Sequence, residues 1–139
     1  MILDIKKNDD DHLWLFDTVM KISPKILGKH SDAGEVIIII GFDDTIPERQ
    51  LGNMIPYSNT LFSIKVRPSR DRAEMVKTIA HELQHVRQYA DGKLKRVYRK
   101  SELKGWRWKG KYYKQDFPYK KRPWEIEARK VSSKFKEKV

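Results

Sequence analysis

His81-Glu82-Leu83-Gln84-His85 constrains this chain more than any other stretch. Positions four apart in an α-helix lie one above the other on one face, so both imidazoles can reach a single ion. The glutamate projects about 100° round the helix, beside any ion the histidines hold. The segment must therefore be helical, with its opposite side buried. Its surroundings agree. Asp71 is a candidate N-cap with Glu74 at capping-box spacing, and Asp91-Gly92 supplies a stop. Val76, Ile79, Leu83, Val86 and Ala90 form an apolar stripe nearly opposite His81 and His85. The histidines, with Thr78 and Gln88, are left on the outward face.

A catalytic zinc site takes three protein ligands and keeps a fourth position for water, with a nearby glutamate as general base. Glu82 fits the base, and His81 and His85 supply two ligands for one Zn2+. The chain has two other histidines, His12 and His30, both far upstream, and no cysteine. The third ligand must then be a carboxylate. Among downstream acids, Asp91 ends the same helix and is carried away from the ion by its angle and rise. Glu102 and Asp116 sit among lysines, and Glu137 lies at the terminus. Glu125 and Glu127 remain, on the first turns of a helix begun by Pro123. They flank its buried stripe at similar angles, and only one of them can face the ion.

The chain has 139 residues, enough for one domain, with no repeat and no low-complexity stretch. Its charged N-terminus does not read as a secretory leader, and its longest apolar run, 36–40, is too short for a bilayer. A cytoplasmic monomer without membrane contact is expected. The net charge of +11 is uneven: residues 1–50 carry 6 basic and 10 acidic side chains, and residues 51–139 carry 24 and 9. Within 93–122 there are 13 basic residues, 2 acidic ones and 7 aromatics. That mixture suits phosphate backbones and unstacked bases, an acidic protein partner, or a solvated hairpin with aromatics under Lys and Arg stems. Nucleic-acid binding around a structural or vestigial metal is accordingly the alternative to hydrolysis.

The element order is helix, strands, helix, hairpin, helix, an α+β domain with a small, mainly antiparallel sheet. A first helix spans about 9–27, with Pro24 ending or bending it. Residues 34–42, apolar on both sides, read as a central strand, and 43–50 as a turn region. Asn53, Met54, Ile55, Pro56 and Tyr57 form an edge strand, since Pro56 cannot donate to a ladder. Ser58-Asn59 turns into a strand over 60–66. Trp106-Arg107-Trp108 and Lys111-Tyr112-Tyr113 are hairpin arms about Lys109-Gly110. An extended peptide can add to the 53–57 edge. Tyr112, Tyr113, Tyr119 and Arg122 are candidate donors to an oxyanion.

His81 to His85, followed by Glu125-Ile126-Glu127-Ala128, resembles the zincin peptidases whose third ligand is a glutamate (gluzincins). Residues 78–92 are also similar to SprT-like and small phage-encoded metallopeptidases. The resemblance implies a minimal zincin-like domain over 1–139, with 93–122 as an insert, that hydrolyses peptide bonds. It implies Glu125 as third ligand, with Glu127 the alternative. Two departures stand out. Arg129 occupies a position where Asp or Asn is usual, so the carboxylate that normally supports a ligand histidine is missing or comes from elsewhere. SprT-like enzymes, some of which act on DNA-bound proteins, use a third histidine that this chain lacks.

Overall fold

The computed structural model describes residues 1–32, 36–47 and 50–135. A four-stranded sheet of order β1-β2-β4-β3 is formed by β1 (Ile2–Ile5), β2 (Ile37–Phe42), β3 (Gly52–Pro56) and β4 (Leu61–Val66). Helix α1 (Asp10–Leu27) connects β1 to β2, and α2 (Arg72–Ala90) follows β4. A three-stranded sheet, β5 (Leu94–Arg99), β6 (Glu102–Trp108) and β7 (Lys111–Lys114), precedes α3 (Pro123–Ser132). The architecture is α+β, as the sequence predicts.

The antiparallel expectation holds for β3–β4, β5–β6 and β6–β7, whereas β1–β2 and β2–β4 run parallel. For β1–β2 the cause is α1, a helical crossover that returns the chain to the end where β1 began; β2 and β4 run alike because β3, antiparallel to β4, reverses the chain between them. Pro24 does not end α1, which runs on to Leu27. Asp9 caps the helix, its carboxylate accepting from the His12 N–H at 2.8 Å.

The main core lies between the four-stranded sheet and the two helices, with Leu15, Val19, Ile22, Ile38, Ile40, Phe62, Ile64, Ile79 and Leu83 fully buried. β2 is central as expected, but Ile37 and Ile39 on its second face are only half-buried. The turn region 43–50 is described in part, since 48 and 49 lie outside the described residues, as do 34 and 35 of the predicted strand.

A second, aromatic core joins Leu94 and Trp108 to Trp124 of α3. Trp106 and Tyr113 pack on Trp124 with ring centroids 5.4 and 5.3 Å away. The hairpin turn has Lys109 and Gly110 at φ +50° and +88°, the left-handed pair that matches the twist of its arms. Among the described residues no helix is long and apolar enough to cross a membrane.

Candidate metal centre

Helix α2 starts on its predicted cap, the Asp71 carboxylate accepting from the Glu74 N–H at 3.1 Å. Its apolar stripe packs into the main core. The opposite face is not left open to solvent: α3 and the aromatic core cover it, so His85 and Gln88 are buried. Gln88, read from sequence as facing outward, is 1% exposed.

α3 brings Glu125 onto that face. Pro123 occupies the first helical position, where its missing N–H costs nothing. Trp124 is anchored in the aromatic core, and Glu125 beside it turns toward α2. The Glu125 Oε1 lies 3.1 Å from the Nε2 of His81 and 3.1 Å from that of His85. The two Nε2 atoms are 3.2 Å apart. Ligands at about 2.0–2.1 Å in a tetrahedron stand about 3.3 Å from one another. The three atoms thus form one triangular face of such a shell. His81, His85 and Glu125 are a group that can hold a metal ion.

The triad's own electrostatics are those of an anion locked between imidazoles. Burial works to raise the Glu125 pKa, but hydrogen bonds from His81 and His85, the charge of His85 and the Tyr119 hydroxyl hold it far below the usual carboxylate range. Burial works to lower His85, yet its bond to Glu125 and the nearby Glu82 charge raise it to about 9. Glu82 is raised by burial, which His85 and His81 offset only in part and which Glu125 reinforces. A carboxylate shifted upward by burial holds a proton more readily than an exposed one, which suits it to accept a proton and pass it on.

Behind the triad lies a hydrogen-bond chain that the sequence did not disclose. The Gln88 Nε2 donates to the Trp124 carbonyl at 3.0 Å and to the Glu127 carboxylate at 3.1 Å. Both partners only accept, so the amide orientation is fixed and its Oε1 must face His85. The His85 Nδ1, 2.7 Å away, therefore donates to that Oε1, which frees Nε2 to carry a lone pair toward an ion. Gln84 steadies the same Glu127 carboxylate at 2.7 Å. Glu127 thereby holds Gln88 in place beside His85, and Glu125 is the carboxylate positioned with the two histidines.

A cleft of about 930 Å³ runs along α2 past the triad. Of the four candidate oxyanion donors, Tyr119 and Arg122 line it and Tyr112 and Tyr113 do not. The period of two along β7 explains this: Tyr113 turns inward onto Trp124, while Tyr112 lies on the outer face with its hydroxyl on the Lys104 carbonyl. Burial, then the Glu125 charge, raises the Tyr119 pKa, keeping a phenol beside the triad as a donor.

On the opposite wall, Gly52, Asn53 and Met54 border the cleft, and Ile55, Pro56 and Tyr57 lie outside it. β3 is the edge strand expected. Its approach to α2 requires glycine, because a Cβ at Gly52 would stand 2.6 Å from the Thr78 Cγ2 and 3.0 Å from the Lys65 carbonyl. The bonds Arg67 N–H to Leu51 O and Tyr57 N–H to Leu61 O set which residues face β4. The backbone groups of Gly52 and Met54 consequently face away from the sheet. The remaining histidines are occupied elsewhere: His12 with Asp9 at 2.8 Å, and His30 with Asp91 at 2.6 Å.

No family model, curated protein or solved structure matches this chain.

Proposed function

We propose that the protein is a zinc-dependent metallopeptidase of zincin type. The observation that carries the reading is the triad of His81, His85 and Glu125 with Glu82 buried beside it on an open cleft. Two imidazoles and one carboxylate, with one side free, are the donor set of a catalytic zinc site. Zinc, when bound there, makes water acidic and polarises a carbonyl.

This chain's residues supply the rest. Glu82 takes the proton of the attacking water and delivers it to the departing amine. Tyr119 donates to the developing oxyanion, with the Arg122 charge on the same wall. The substrate lies extended along β3, where the Gly52 and Met54 backbone offers an unpaired edge. The Asn53 Oδ1, buried without a partner on that wall, offers an acceptor for a peptide N–H.

The zinc-loaded Glu82→Gln variant should keep its metal yet lose cleavage of a peptide library that the wild type digests. Wild-type turnover in that variant overturns the mechanism.

One observation favours a second, compatible activity. Lys95, Arg107 and Lys114 share the outer face of the three-stranded sheet with Tyr112, and none of the three cations has a carboxylate partner among the described residues. Single-stranded nucleic acid fits that face. Affinity for an oligonucleotide that falls steeply with salt supports it, and its absence at low salt removes it.

A further inference from the structure

We propose that Arg96 reads a carboxylate on the substrate, so that the cleft takes peptides bearing an acidic side chain or a free C-terminus at the end remote from Asp71. This rests on the peptidase reading and adds a substrate class to it.

The cleft is polarised along α2. Asp71 and Glu74, with Lys77, border one end, His81 and His85 stand midway, and Tyr89, Arg96 and Arg122 border the other. Neither guanidinium has a carboxylate oxygen within 4.0 Å among the described residues. Their donors are used differently. Arg122 is committed: its Nε donates to the Phe117 carbonyl at 3.0 Å, its Nη2 to the Gln115 carbonyl at 3.1 Å, and its plane stacks 4.4 Å from the Trp106 ring centre. Arg96, cross-strand from Trp106, has one long bond from Nη1 to the Tyr98 hydroxyl at 3.3 Å and a further interaction with the Tyr89 hydroxyl. Its Nε is buried and has no partner.

A half-buried guanidinium with an orphan donor and no counter-ion is costly where nothing accepts from it. A carboxylate fits the fork bidentately and removes both deficits at once. Arg122 fixes a positive background, and Arg96 holds the donor still open. Cations at this end also disfavour a basic residue there.

The test measures peptide binding rather than turnover, using zinc-loaded Glu82→Gln protein. Three matched peptides are compared: one with a glutamate and an amidated C-terminus, one with glutamine and a free C-terminus, and one with glutamine and an amide. A carboxylate-bearing peptide should bind about tenfold or more tightly than the neutral one. Arg96→Met, which keeps the apolar stem, should bring the ratio near unity in the same zinc-loaded background. Whichever of the two acids binds identifies the source. Equal binding of all three, or a preference that survives Arg96→Met, overturns the proposal. Cleavage by wild type without carboxylate preference sinks Arg96 alone, whereas preferential binding without cleavage sinks the peptidase reading alone.

Discussion

Replacing Gln88 by leucine isolates the support that this chain gives to its metal centre. Leucine nearly preserves the volume at a site 1% exposed, so packing changes little. What is lost is the acceptor for the His85 Nδ1–H, at 2.7 Å, and the donor to Trp124 and Glu127. With zinc on Nε2 the ring cannot turn to find another partner, and a buried unsatisfied N–H costs about 1–3 kcal/mol. Without zinc, His85 can shed its Nδ1 proton and keep Nε2–H on Glu125, whereas zinc on Nε2 fixes the proton on Nδ1, so most of that cost falls on the bound state. Zinc affinity should therefore drop about 10–100-fold, the range for loss of a supporting partner. Competition against a chelating indicator measures it, and a nitrogen-15 spectrum of His85 reports the tautomer independently. A folded Gln88→Leu protein that holds zinc as tightly as wild type refutes the argument.

Three further outcomes follow from the same geometry. Below pH 9 zinc must displace the proton that the metal-free site holds on His85, so apparent affinity should rise by up to about tenfold per pH unit until that value is passed. Because that folded-state pKa lies above the unfolded one, its stabilisation is complete below about 6.5 and lost as pH climbs through about 9. The melting temperature of the metal-free protein should fall over that window and that of the zinc-loaded protein should not; matching profiles contradict it. Trp124→Ala should cost about 3–5 kcal/mol in denaturant unfolding, and it should weaken zinc binding too, since Trp124 holds Glu125 in place. Intact zinc affinity would separate the anchor from the ligand.

Much of α2 was legible because its signals are local: Asp71 and Glu74 mark the start, Asp91-Gly92 the stop, and the stripe from Val76 to Ala90 the buried side. The same held for Pro56 on an edge strand and for Lys109-Gly110 in a hairpin. Strand direction was not legible, since a run such as Ile37 to Ile40 carries no record of how its neighbours run. Nor were the short strand Ile2–Ile5, which lies in a charged stretch, or β5, where Lys95, Arg96 and Arg99 mask a strand with one covered face. In the site, Glu125 and Glu127 looked alike on a helical wheel because the choice depends on how Trp124 docks, some forty residues from the histidines. Gln88 escaped for a related reason: an amide on a helix face acquires a role only when another helix brings it acceptors.

Zinc content after purification and dialysis tests the centre most directly, measured side by side on the wild type, Glu125→Ala and Glu127→Ala. One zinc per chain in the wild type, stoichiometric zinc at weakened affinity in Glu127→Ala and little zinc in Glu125→Ala is the expected result. Full zinc in Glu125→Ala with loss in Glu127→Ala, or a wild type that binds none, would contradict the account.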